Sequence, residues 1–207
     1  MWGIVQDGSI TKLINNPKAM VIGDVRHSRN IFSSRWTNAE REAIGIYEVE
    51  FDNTNKKDEQ WYINTNQSFA FAGGKITASY GSATAKAHAD TLWTQQDSDD
   101  GLLPSDKSVG DVKVEGLKTI KIREVQQQAA GILQDTDWYI VRKADAGTAV
   151  PSAITTHRAA VRTKAAEQET AITNAADTPA LETLYTYTEQ EDGSVTRPLG
   201  ELPRLED

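Results

Sequence analysis

Apolar side chains recur with one period in the first part of this chain and with another in the second. A chain so divided folds into strands and helices kept apart rather than interleaved. The first part alternates. Trp2-Gly3-Ile4-Val5-Gln6 and Ser9-Ile10-Thr11-Lys12-Leu13-Ile14 flank Asp7-Gly8, a step that supplies the two positive-φ residues of a type I′ hairpin turn. Beyond the loop at Asn15-Asn16-Pro17, a short apolar stretch runs from Ala19 to Val25. Trp36-Thr37-Asn38-Ala39-Glu40 then carries a helix start, in which Thr37 caps the first turn and Glu40 reaches back to a second orphan donor. Gly45 stands where a left-handed C-cap is needed, and Ile46 to Phe51 alternates with Tyr47, Val49 and Phe51 on one face. Trp61-Tyr62-Ile63, Ser68-Phe69-Ala70-Phe71 and Lys75 to Tyr80 read as further strands, with a turn at Gly73-Gly74.

After about residue 113 the period lengthens. Ile122, Val125, Ala129 and Ile132 fall at spacings of three and four, the seam of two heptads at most. A second helix is expected from Ser152 to Ala176, with Ile154, Val161 and Ile172 as a thin apolar stripe among alanines. At about 25 cal/mol per Å² so thin a stripe stabilises little by itself, so packing on a neighbour or a second copy is expected. Thr178-Pro179 opens a third, short helix, and strands around Asp192-Gly193 precede a proline-punctuated tail. The segment between the two periods holds Gly101, Pro104 and Gly110 and reads as a linker. The expected fold class is therefore α+β. A small β-rich docking module with one short helix spans residues 1–95, a linker spans 96–112, and an α-helical hairpin-like module with a short β tail spans 113–207.

Composition narrows the chemistry. Thirty acidic against 22 basic side chains give a net charge of -8. The basic residues are scattered, so a nucleic-acid partner is not expected. The apolar runs are far too short to span a bilayer, so no membrane partner is expected, and Met1-Trp2-Gly3 lacks a secretory opening. The absence of cysteine excludes disulfides and thiolate chemistry and fits folding in a reducing cytoplasm. His27, His88 and His157 are too widely spaced for a metal-ligand motif. Asp97-Ser98-Asp99-Asp100-Gly101 begins like a calcium loop, but its glycine comes one residue early and Ser108 stands where the bidentate glutamate is required. No nucleophile elbow, phosphate loop or paired carboxylates stand out, so neither an enzyme nor a cofactor is expected. Trp61, Tyr62 and Trp93 offer ring faces for a glycan platform, against the plainer reading that they fill a small core.

One segment carries more. Leu133-Gln134-Asp135-Thr136-Asp137-Trp138-Tyr139-Ile140-Val141-Arg142 is followed by Val150-Pro151 and by His157-Arg158-Ala159-Ala160-Val161-Arg162. This Asp-Trp, Val-Pro, Arg-x-x-apolar-Arg succession resembles phage tail fibre proteins and the phage tail assembly chaperone-like family. Trp36 to Val49 resembles a segment common in fibre and fibre-assembly proteins, and together the two cover about a quarter of the chain. The chaperone-like pattern has an aromatic residue where His157 stands and a Pro-Trp-Pro type ending where Leu202-Pro203-Arg204-Leu205 stands. The resemblance implies a non-enzymatic tail or baseplate component in the virion, made in the host cytoplasm. Its partners would be other phage tail proteins and further copies of itself. The alternatives are a fibre assembly chaperone absent from the mature particle and a receptor- or glycan-binding module.

Within the segment Asp137 is expected to close the turn after the first long helix, with Trp138 and Ile140 on one face of a short extended stretch. Trp138 would wedge between the two helices. Arg158 and Arg162, four apart on one helix face, would reach Asp137 or a partner's acid. Trp138, Tyr139, Arg142, Arg158 and Arg162 are thus the candidate interface residues.

Overall fold

In a computed structural model, which describes residues 1–205, the chain forms two compact units, Met1–Thr84 and the residues from Ala85 onward. The first unit opens with β1 (Trp2–Gln6) and β2 (Ser9–Ile14), joined through Asp7 and Gly8 at φ of 49° and 75°. The type I′ turn thus forms where the Asp-Gly step places it. A small hairpin of β3 (Met20–Ile22) and β4 (Val25–His27) and a 3-10 turn at Arg29–Phe32 lead to α1 (Asn38–Glu42). Thr37 and Glu40 form the reciprocal capping box there, and Gly45 takes φ of 79°. Gly45 has a second constraint, since a Cβ would lie 2.7 Å from the Val5 carbonyl oxygen.

β5 (Ile46–Asp52), β6 (Tyr62–Ile63), β7 (Ser68–Ala72) and β8 (Lys75–Ser79) follow. The main sheet runs β2-β1-β5-β8-β7 and is curled, with β5 and β8 parallel and the other pairs antiparallel. Val5, Val49, Ile76 and Ala78 form its buried centre, flanked by Tyr47, Phe69 and Phe71. Tyr47 meets Phe71 edge-on at 4.7 Å. Phe51, expected beside Tyr47 and Val49, stays half exposed near the end of β5. Ile31 and Ile46 are buried as well, and so is Arg41. Its Nε donates to the Ile31 carbonyl at 2.8 Å, Nη1 to Asn38 Oδ1 at 2.8 Å and Nη2 to the Ser33 carbonyl at 2.7 Å. The guanidinium also lies 4.6 Å from the Trp2 ring centroid, so a buried charge is satisfied without a carboxylate.

A two-residue strand, β9 (Thr84–Ala85), stands at the division. That division precedes the 96–112 segment for a physical reason. The carbonyls of Ala87 and His88 accept from the amides of Leu117 and Lys118, and the Asp90 carboxylate accepts from the Gly116 amide at 2.7 Å and the Thr119 hydroxyl at 2.8 Å. Residues 87–90 therefore supply the N-terminal cap of α3 (Leu117–Gln134), which has none of its own because Gly116 carries no side chain. Gly116 admits nothing larger, since a Cβ would lie 2.4 Å from the Ala89 carbonyl oxygen.

Nor is 96–112 a structureless linker. β10 (Thr91–Leu92) pairs with β11 (Val112–Val114), and α2 (Gln95–Asp99) lies in the loop they close. Asp97 makes a capping box with Thr94 and meets the Lys113 ammonium at 2.5 Å. The lysine, then the Thr94 hydroxyl and amide, bring its carboxyl from the ordinary 3.8 down to about 2.

The helical half holds α4 (Asp137–Ala146), α5 (Ser152–Asn174) and α6 (Thr178–Tyr185), then a hairpin of β12 (Thr188–Glu189) and β13 (Val195–Thr196). α3 and α5 pack antiparallel. Lys118 Nζ donates to the Thr173 carbonyl at one end, and Arg158 reaches the Leu133 carbonyl at the other. Leu117, Lys121, Val125 and Ala129 are buried on α3, and Ile154, Val161, Ala165 and Ile172 on α5. The α3 stripe has a spacing of four rather than the expected heptad pattern, which leaves Ile122 and Ile132 half-buried. The tail returns to the helices, where Gln168 Nε2 donates to the Gly200 carbonyl at 2.9 Å and Leu199 is buried. Among the described residues no helix is long and apolar enough to cross a membrane.

Candidate functional site

The segment from Asp137 to Arg162 forms α4, a loop and the first half of α5. The expected extended stretch at Trp138 to Ile140 is instead the first turn of α4. Helix wins because Asp137 places a carboxylate at its positive end and Gly147, at φ of 65°, closes the other end. On a helix Trp138 and Ile140 no longer share a face. Trp138 is 51% exposed and is not a wedge between the helices. It stacks on Tyr139 with centroids 3.9 Å apart, and the Arg142 guanidinium lies 4.6 Å and 5.5 Å from the two rings. Spacings of three and four residues bring that cation over both.

Arg158 takes the part expected of the tryptophan. It is 7% exposed, and its Nη1 donates to the Leu133 carbonyl and to Thr136 Oγ1, each at 2.7 Å. Nη2 meets Asp137 Oδ1 at 2.8 Å. One guanidinium thus holds the last turn of α3, the connector at Thr136 and the first residue of α4. The planar fork suits this role, because its fixed donors aim at a carbonyl, a hydroxyl and a carboxylate together. Thr136 is itself buried, and nothing in its sequence surroundings marks it.

Arg162, one turn further along α5, is exposed. With Thr155 and Arg158 it forms one stripe of the helix, facing Ile140 and Lys143 of α4 and Val150 of the loop across a cleft of about 280 Å³. Thr155 is exposed and its hydroxyl donates back to the Pro151 carbonyl, one turn earlier, at 3.3 Å. No carboxylate lines the cleft. Among the described residues Lys143 and Arg162 form no ion pair, and the Arg158 Nε has no acceptor. Lys143 escaped notice in the sequence, where it lies beside Arg142. The signal was its spacing of three from Ile140, which puts both on one side of a helix once α4 is recognised as one.

Trp61, Tyr62, Trp93 and the three histidines are not among the residues that line this cleft. Trp61 and Tyr62 are 3% and 5% exposed, so their rings are core and offer no face to a sugar. Trp93 belongs to the second unit, and Lys113 Nζ lies 4.5 Å from its ring centroid. Burial thus removes two of the three rings, Trp61 and Tyr62, from the expected glycan platform. His27 stands edge-on to Trp36 at 6.1 Å, while His157 is buried on α5. Among the described residues no three His, Cys, Asp or Glu side chains are grouped so as to hold a metal ion. The chain matches no protein family, no curated protein and no solved structure.

Proposed function

We propose that this chain is a non-enzymatic structural component of a phage tail, associated with a fibre or the baseplate, that works through protein contacts in an oligomeric assembly. The observation that carries the reading is α4. In ten residues it exposes Trp138, Ile140 and Val141, and it lies within the segment that resembles tail proteins. Large apolar groups crowded on one short exposed helix are the usual mark of a protein-docking surface. Arg142, stacked over Trp138 and Tyr139, restricts the two rings before any partner arrives, which lowers the ordering cost of association.

The test is mass spectrometry of purified particles, combined with cross-linking from a photoreactive group at position 138. The chain is expected in mature virions, with cross-links to another tail protein or to a second copy. Absence from mature particles together with recovery on immature fibre would instead make it an assembly chaperone. Recovery from neither would remove it from the tail altogether.

A further inference from the structure

The cleft between α4 and α5 has a composition of its own. Ile140 and Val150 give it an aliphatic lining, Lys143 and Arg162 supply cations that form no ion pair among the described residues, and Arg158, paired with Asp137, lines it as well. Arg158 is held by the Leu133 carbonyl and the Thr136 hydroxyl and is paired with Asp137, so the unpaired charge of the cleft is that of Lys143 and Arg162. All this occurs on a chain whose net charge is -8. Two unpaired cations, Lys143 and Arg162, set beside apolar surface on an acidic protein are complementary to a ligand that is anionic and apolar together. A volume of about 280 Å³ lies just under the roughly 300 to 1,000 Å³ of small-molecule sites, and suits one or two side chains of a larger partner.

We infer that this cleft receives a short segment of a protein partner in which a glutamate or aspartate adjoins a leucine-type residue. The carboxylate sits between Lys143 and Arg162, and the aliphatic side chain lies on Ile140 and Val150. The inference rests on the reading of the helical half as a protein-docking unit and adds the chemistry of what docks. The Trp138 face then provides contact area, while the cleft provides selection by charge.

The test uses the full chain, isotope-labelled, titrated with a capped peptide alternating leucine and glutamate and with the same peptide carrying glutamine. Shifts are expected at the Ile140 and Val150 methyls and at the amides of Lys143, Thr155 and Arg162 with the glutamate peptide. The glutamine peptide should bind at least about tenfold more weakly. Lys143→Glu with Arg162→Glu should abolish the shifts, and the same charge reversal at the exposed Lys107, which does not line the cleft, should leave them in place. Equal binding of both peptides, no shift, or shifts mapping elsewhere would refute the inference. Movement of the same resonances with inorganic phosphate or a short DNA strand would refute it too, by making the site a general anion site. If they move on concentrating the protein alone, the occupant is a second copy and the separate partner is wrong. Absence of the chain from virions defeats the tail reading without touching peptide binding, so the two failures are distinguishable.

Discussion

Arg158 and Arg162 are the same residue type, four apart on one helix, yet their surroundings give them different work. Arg158 spends its two terminal nitrogens inside the fold on groups from α3, the connector and α4. Removing it leaves the Leu133 carbonyl and Thr136 hydroxyl without a charged donor, while Asp137, more than half exposed, returns to water. Arg158→Leu should therefore destabilise the helical half by about 2 to 3 kcal/mol. Arg162→Leu should stay within about 0.5 kcal/mol of the parent. Urea unfolding followed by helical circular dichroism separates the two, and equal losses would contradict this division of roles. In the sequence the pair looked symmetrical. Burial decides between them, and burial depends on α3 ending beside the first turns of α5, a relation that no local spacing encodes.

Among the elements, those specified by neighbouring residues were legible and those completed from a distance were not. The β1–β2 turn, the Thr37–Glu40 cap, the extent of α5 and the start of α6 follow from residues a few positions apart. α3 is capped instead by Asp90, 26 residues earlier, and α2 is tied through Asp97 to Lys113 on β11. A polar, glycine-containing stretch therefore read as a linker although side chains hold it closed. α4 is hard to read for a related reason, since its aromatic and β-branched residues suit strands and only Asp137 at its start and Gly147 at its end favour a helix. The Asp97 tie has a pH signature. Its carboxyl titrates near 2 rather than 3.8 in the folded chain, so the stability it contributes is complete above about pH 4 and fades as the pH falls towards 2. The Trp93 indole resonance, beside Lys113, should report opening of this loop in that range, and Asp97→Asn should flatten the response. An unchanged pH profile in Asp97→Asn would assign the opening to another acid.

At the scale of the whole molecule, the α+β character was legible because the apolar period changes once and the structure changes with it. The place of the division was not, because residues 87–90 are committed to α3 by hydrogen bonds rather than by pattern. The same division has a consequence in time. β5 joins β8 in parallel and β1 in antiparallel register, so the centre of the first unit assembles only after chain segments far apart in sequence have met. In the helical half the backbone hydrogen bonds within each helix are local, although the α3–α5 pairing itself joins distant residues such as Lys118 and Thr173. Folds dominated by distant pairings form in roughly milliseconds to seconds, and helical ones in roughly microseconds to milliseconds. Refolding by stopped flow should therefore show helical signal recovering before the burial of Trp61, with Gly3→Ala, which would press on Ile76, slowing only the later phase. The half synthesised last would then be the half whose secondary structure appears first, with the Trp138 helix formed while the β unit is still searching for its register.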